Sequence, residues 1–506
     1  MTNRKRSVRN LISAAVGHLL AVLIGLMLPR LFITRFGSEV NGLLGSISQI
    51  LVYLGLFEAG VGAVALQALY GPVAGKEWTA INGILSATNI YYKRTSIIYF
   101  FALLALSAVY PLIVKAEMDF LTVFLIILFC GLPSVLSFYG QAKYILLLRA
   151  EGKNYIITNL AALVNVLIGL TKAALILLGL EVLPVIVVSF FIQLVQFVYI
   201  TQYVKRNYKD ISLSHEPDYK AVSQKNYMLV HQVSGLIFQN TDVLLLSAFS
   251  GLKVVSVYSI YKLVMSQLAH LTYILQSSVD FVLGQTFQTD LVKYTRRIDL
   301  FESYFSAVTF ALYAVVYYVL FSFVSLYTYG ITDITYADRN LVFLFVIIEL
   351  LTVMRTPMLQ TINYAGHFRK TTWRTVAESV INLSVSLLGV AFYGIYGVLA
   401  GTVIALLYRT NDIIIYSNTR LLRRSPMHTY MIHLLNTGVF VLVQILFSRV
   451  FQPIGSYIEL IRTSILAALI ALPLFILVQT VFWSGNRKTV CQHIKQILCD
   501  RANKKA

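Results

Sequence analysis

Apolar residues run almost without a break from Leu11 to Ile33, a polar turn covers 34–42, and a second apolar run extends from Leu43 to Leu69. Each run exceeds the roughly 20 residues a helix needs to cross a hydrocarbon core of about 30 Å. Neither alternates polar and apolar residues as a barrel strand does, and an open strand in lipid would leave backbone groups unpaired. The pair therefore predicts a transmembrane helical hairpin. Further apolar spans follow at about 95–114, 120–142, 155–179 and 184–204, before a hydrophilic loop at 205–226. Spans resume at about 227–249, 254–284, 301–328, 340–365, 375–393, 396–417, 430–448 and 463–483. Six before the loop and eight after it give an all-α polytopic membrane protein of about 14 transmembrane helices. Residues 71–94 are more polar but keep Trp78, Ile81, Leu85 and Tyr92 at helical spacing, and Phe287, Leu291, Tyr294 and Ile298 do the same later. Both stretches predict amphipathic helices lying along the membrane interface.

The second half of the chain echoes the first. Residues 35–50 and 248–268 each place a Phe and a Gly in a short turn ahead of a long helix bearing Ser and Gln, and Ala150-Glu151-Gly152-Lys153 with Val164-Asn165 is echoed by Ala365-Gly366-His367 with Ile381-Asn382. Six helices separate the copies, so both insert with the same orientation. That is a parallel repeat, whose axis follows the membrane normal. The expected division is an N-terminal lobe at 1–204, a linker at 205–226, a C-terminal lobe at 227–417, two extra helices at 418–483 and a basic tail at 484–506.

Charge sets the expected orientation. Only 12% of residues are charged and 58% are hydrophobic, against about 25% charged in a soluble protein. With both termini placed in the cytoplasm, 30 of the 41 Lys and Arg fall on inner segments and six on outer loops, as the positive-inside rule requires. The net charge of +19 then lies beside anionic membrane lipids rather than nucleic acid. Cys130, Cys491 and Cys499 show neither metal-site nor disulfide spacing and read as inert thiols of a reducing compartment.

No phosphate-cradling glycine loop, His-Glu-x-x-His or serine elbow is present, which argues against ATP hydrolysis, a metal centre or covalent catalysis. No cofactor is expected. The informative residues are ionisable groups at membrane depth, which are costly there and face a cavity or a partner. Counting inward from the span ends puts Glu58, Asp242, Lys262 and Glu349 near mid-membrane, Lys172 in the outer half, Arg355 in the inner half and Arg30 near the outer interface. His18 and His270 also fall inside spans, and Arg409, Asp280 and Glu378 lie near inner ends where long side chains snorkel. Two readings compete. In one, Asp242 with Lys262, or Glu349 with Arg355, neutralise each other as structural pairs. In the other, Arg30, Lys172, Lys262 and Arg355 form a cationic cavity that binds an anionic headgroup, since guanidinium groups suit phosphate. Glu58, Asp242 or Glu349 would then take H⁺ or Na⁺ and couple transport to an ion gradient. Tyr313, Tyr317, Tyr318, Tyr327 and Tyr329 read as packing and an aromatic belt, with sugar stacking as the other reading.

The basic start, Asn10, Pro29-Arg30, Arg35-Phe36-Gly37, Gly42 and the Leu54-to-Gly60 region, with Asn240-Thr241-Asp242 and Tyr258-Ser259 in the second half, resemble the polysaccharide and O-antigen flippases. These belong to the multidrug/oligosaccharidyl-lipid/polysaccharide (MOP) exporter superfamily. The resemblance implies a V-shaped bundle in a bacterial inner membrane, with two six-helix lobes that rock in alternating access. It implies a cargo of lipid-linked oligosaccharide on undecaprenyl pyrophosphate, moved from inner to outer leaflet, and a polysaccharide polymerase or other assembly partner. Beyond Arg30 and Arg35 the opening hairpin does not reproduce the arginine-rich hairpin of the lipid II flippases. Two alternatives stay open. A drug/cation antiporter of the same superfamily would favour an acidic cavity. A membrane-embedded glycosyltransferase or ligase would need a large outer loop with catalytic acids, and no outer loop here exceeds about fifteen residues.

Overall fold

The computed structural model describes residues 3–55, 61–114, 117–219 and 240–482, with side chains from Leu23 onward except those of Ala63, Phe368 and Arg369. Glu58, the His18 side chain, residues 220–239 and the tail with Cys491 and Cys499 lie outside the described residues. Among the described residues the regular structure is helical: α1 (Asn3–Leu54), α2 (Val61–Gly75), α3 (Trp78–Val114), α4 (Phe120–Ala150), α5 (Asn154–Leu177), α6 (Val182–Asn207), α7 (240–249), α8 (Leu252–Thr289), α9 (Leu291–Tyr327), α10 (Arg339–Tyr364), α11 (Phe368–Tyr393), α12 (Ile395–Tyr416), α13 (Met427–Val450) and α14 (Tyr457–Phe482). Ten of these, α3–α6 and α9–α14, are long and apolar enough to cross a membrane. The chain is a multi-pass membrane protein.

Two compact units emerge: residues 1–259 with 330–334, and residues 260–329 with 335–506. The boundary falls inside α8, between Ser259 and Ile260, whereas the sequence pattern divides the chain at the polar loop 205–226.

In the first unit the expected turn at 34–42 shrinks to one residue. α1 is helical on both sides of Gly37, whose φ of 84° and ψ of 170° break it. Those angles exclude a side chain, so the turn depends on glycine. The helix that restarts at Ser38 needs acceptors for its first N–H groups. Asp333 supplies them: Ser38 N donates to Oδ2 at 2.9 Å and Ser38 Oγ to Oδ1 at 2.7 Å. Beyond this cap the arm packs against the start of α8 by close approach, a Cβ on Gly42 falling 1.8 Å from the Leu252 carbonyl oxygen. Asn41 Nδ2 donates to Ser256 Oγ at 2.8 Å on the same seam. Small residues at helix contacts are what membrane packing favours, because lipid offers no hydrophobic drive between helices.

The interfacial helix expected at 71–94 is not a separate element. Residues from Trp78 onward are the first half of a single 37-residue helix, and Ile81, Leu85 and Tyr92 join the core of the unit. The polar positions that suggested an interface are used internally. Asn82 Nδ2 donates to the Asp210 carbonyl and its Oδ1 accepts from Ser212 N, so the segment after α6 is tied along α3. The later stretch behaves likewise: Tyr294 and Ile298 are fully buried in the first turns of α9.

In the second unit, Ala307, Ala311 and Ala314 of α9 lie against Ala467 and Ala471 of α14, with Val443 and Phe447 of α13 closing the cluster. At the other end Tyr294 and Ile298 of α9 pack on Met358 and Ile362 of α10 and on Ile413 and Ile414 of α12. α11 and α12 form a tight hairpin in which Gly389 and Gly397 face each other so closely that a Cβ on Gly397 would sit 2.1 Å from the Gly389 carbonyl oxygen. Pro29, Pro133, Pro357 and Pro473 sit inside α1, α4, α10 and α14. Each removes one backbone bond, which membrane helices tolerate where neighbours re-satisfy the freed carbonyl. After Pro133, α4 passes through a π turn at Ser137–Gln141.

Candidate functional site: the intramembrane charges

In the first unit, α7 and α8 bring a carboxylate into a hydroxyl-lined seam. Asp242 is 5% exposed and accepts from Tyr258 Oη at 3.2 Å. The neighbouring Thr241 shares a hydrogen bond with Tyr53 Oη at 3.0 Å. Arg30 is half-buried on α1, while Arg35 is spent on structure, donating to the Gly179 carbonyl at 3.1 Å in the α5–α6 turn. Lys172 occupies α5 beside its buried stripe of Gly169, Ala173 and Ile176. It is half-buried, its electrostatic neighbour is the Cys130 thiol of α4, and among the described residues no carboxylate pairs with it.

In the second unit the charges are grouped differently from the expected structural pairs. Arg355 does not meet Glu349: six residues along a helix turn the two side chains about 120° apart. Glu349 instead accepts from Tyr313 Oη of α9 at 3.3 Å and has Lys262 of α8 as its charged neighbour. Arg355 reaches α11, where its Nη1 lies 2.6 Å from Glu378 Oε1. Glu378 Oε2 faces Arg409 Nε of α12 at 3.5 Å, Arg409 Nη1 bonds Asp412 Oδ2 at 2.5 Å, and Asp412 also pairs with Arg374. Arg374 stacks its guanidinium 4.7 Å from the Tyr416 ring centre, and its Nε is buried without an acceptor.

The result is a chain of five ionised groups across α10, α11 and α12. Three guanidiniums against two carboxylates leave a positive surplus. Glu378 and Arg409 are 5% and 4% exposed, so they are locked together rather than snorkelling as expected. The spacing signal was available: Arg374 and Glu378 are four apart, and Arg409 and Asp412 three apart, which puts each pair on one helix face. Asp280, also assigned to snorkelling, accepts from Tyr364 Oη at 2.8 Å.

Arg424, in the turn before α13, forms a second cluster. It pairs with Asp299, lies 3.5 Å from Glu302 Oε2, and donates through Nε to Asn418 Oδ1 at 2.6 Å. Asp299, Glu302 and His428 bring ligand-type atoms within 4.8 Å of one another. A single guanidinium faces these two carboxylates, so Arg424, Asp299, Glu302 and His428 form an ion-pair cluster in which the cation compensates part of the acidic charge. Outside the spans, Glu151, Lys153 and Tyr208 form a triad. Hydrogen bonds to Glu151 and Tyr208 push the Lys153 ammonium upward, and burial, with the bond to Glu151, pushes the Tyr208 phenol up to about 12. A recess of about 580 Å³ in the second unit is lined by Tyr317, Tyr318, Arg339, Gln444, Ser448 and Gln452 among others. Two of the tyrosines left between packing and sugar stacking therefore border open space, whereas Tyr313 is fully buried.

No protein-family model matches the sequence, and no curated protein matches it. Solved structures do. The chain is similar to the lipid II flippase MurJ in an inward closed conformation, with a TM-score of 0.65 at 14% identity over 94% of this chain and 99% of that one. It is similar to an inward-facing multidrug resistance transporter of the MATE family, with a TM-score of 0.61 at 14% identity over 80% of this chain and 95% of that one. A MATE structure in the bent conformation matches with a TM-score of 0.54 at 14% identity, over 85% and 96%. The fold is the one these solved structures share. On this fold Arg30, Asp242 and Lys172 belong to the first unit, and Lys262, Glu349 and Arg355 to the second.

Proposed function

We propose that the protein is a flippase that moves an undecaprenyl-pyrophosphate-linked oligosaccharide repeat unit from the inner to the outer leaflet of a bacterial inner membrane by alternating access, for cell-surface polysaccharide synthesis. The observation that carries this reading is Lys172, a cation at membrane depth without a carboxylate partner among the described residues. Such a group is costly in lipid, and an anionic cargo offsets that cost when it arrives. The surplus guanidinium of the Arg355–Arg374 chain adds to the same bias within the second unit. The likeness to MurJ spans 94% of the chain against 80% and 85% for the two MATE structures, which favours a flippase over an antiporter within the shared fold. Glu349, flanked by Tyr313 and Lys262, and Asp242 are the proposed H⁺ or Na⁺ sites.

The test is complementation. A strain lacking the transporter should regain surface polysaccharide with the wild-type gene but not with Lys172→Gln at equal expression. Full surface polysaccharide with Lys172→Gln would overturn the cationic-cavity reading. Drug extrusion by the wild type without any effect on polysaccharide would place the protein with the antiporters.

A further inference from the structure

Lys143 is the least solvent-exposed lysine whose side chain makes no ion pair among the described residues. It lies near the end of α4, is 7% exposed, and donates through Nζ to Asn89 Oδ1 of α3 at 2.7 Å. Its ammonium also sits 5.0 Å from the ring centre of Tyr144. The charged groups close enough to act on it are Lys93 of α3 and Lys205 of α6, both exposed and both cations. Lys93 itself lies over the ring of Tyr139, 5.7 Å from its centre. A buried ammonium held by an amide oxygen and an aromatic ring thus lies within electrostatic reach of two exposed ammonium groups from two other helices, and no carboxylate among the described residues acts on it.

A buried charge held by a neutral amide and one aromatic ring, with only like charges acting on it, is unfavourable unless an anion joins it. Lys143 lies seven residues from the end of α4, about 10 Å along its axis at 1.5 Å per residue. Basic pockets between transmembrane helices take anionic headgroups. We infer that Asn89, Lys93, Lys143 and Lys205 form a seat for the phosphate of a lipid headgroup, with Lys143 as its floor and Lys93 and Lys205 as its rim. The phosphate belongs either to an anionic phospholipid of the bilayer or to a polyprenyl pyrophosphate. The inference does not depend on the cargo: a drug antiporter with this cluster would need the same anion.

The experiment uses the full chain purified in neutral detergent. Thermal unfolding is followed against added dioleoyl phosphatidylglycerol, dioleoyl phosphatidylcholine and inorganic pyrophosphate, for wild type, Lys143→Gln and the rim double variant Lys93→Gln/Lys205→Gln. Glutamine keeps a donor for Asn89, and the rim lysines are exposed, so at least one variant remains folded. A saturable rise in the unfolding temperature with phosphatidylglycerol, absent with phosphatidylcholine and weakened at least about tenfold in apparent affinity by either variant, supports a phospholipid seat. The same pattern with pyrophosphate alone supports a seat for the pyrophosphate of a lipid carrier. Equal responses to both phospholipids with none to pyrophosphate, or anion effects that survive in both variants, overturn the inference and leave Lys143 as a neutral amine bonded to Asn89.

Discussion

The sharpest constraints sit on single residues. At Gly42 a methyl group has nowhere to go, because the Leu252 carbonyl oxygen stands 1.8 Å from the Cβ position. Gly42→Val should cost about 1–3 kcal/mol or more through forced separation of α1 and α8, seen as reduced yield of monodisperse protein and a lower unfolding temperature. An unchanged unfolding temperature would show that this seam is looser than the geometry indicates. Asp338 caps α10, accepting from Asn340 N at 2.6 Å and Leu341 N at 3.2 Å, and also takes the Tyr396 hydroxyl at 2.6 Å. Burial alone would raise its carboxyl, but the bonds from Tyr396, Leu341 and Asn340 outweigh it and hold the group below its ordinary value of 3.8. A carboxyl lowered in the folded state contributes stability above its unfolded value and loses it as pH falls through the folded one. Asp338→Asn should therefore flatten the loss of stability below about pH 4, and Asp338→Ala should cost about 0.5–2 kcal/mol at neutral pH. Identical acid unfolding curves for Asp338→Asn and wild type would refute the linkage.

Between helices, the buried chain from Arg355 to Arg374 decides how α10, α11 and α12 hold together. Its members are too deep for their charges to be screened by salt, unlike an exposed pair. Removing one partner leaves an uncompensated ion, which costs about 3–5 kcal/mol where burial is complete. Glu378 and Asp412 each face two guanidiniums, but Glu378 is the more buried, so Glu378→Ala should be the most damaging substitution of the five, whereas Arg374→Lys, at the half-exposed end, should be mild. Comparing the two by heat-induced aggregation in detergent, at low and at high salt, checks both the order and the insensitivity to salt. If Arg374→Lys proves as harmful as Glu378→Ala, the network is anchored at its rim rather than in its interior. Lys143 and Lys172 contrast with this group, because their helices bring them no acidic residue.

Across the whole molecule, the fold class was plain in the sequence because a 20-residue apolar run has few other uses. Spans such as 120–142 and 430–448 fall inside α4 and α13. What the pattern misjudged were helix ends. Trp78, Ile81, Leu85 and Tyr92 look amphipathic whether the wet side is water or, as for Asn82, another segment of the same chain. Periodicity reports that a face is apolar and says nothing of what covers it. The candidate site was legible as a set of charges and illegible as a set of pairs, since depth along a helix is readable from residue counting but partnership depends on which faces meet. Arg355 shows this best: its partner Glu378 lies 23 residues away on the next helix, not six away on its own.

The cap on the restarted helix of α1 also carries a consequence in time. Ser38 and Asp333 are separated by 295 residues. At a synthesis rate of about 5–20 residues per second, the carboxylate emerges roughly 15–60 s after the N–H it must satisfy. During that interval the arm beyond Gly37 has an uncapped end, free to fray or to borrow a lipid phosphate. The first helical hairpin is therefore among the first elements made and among the last to be finished.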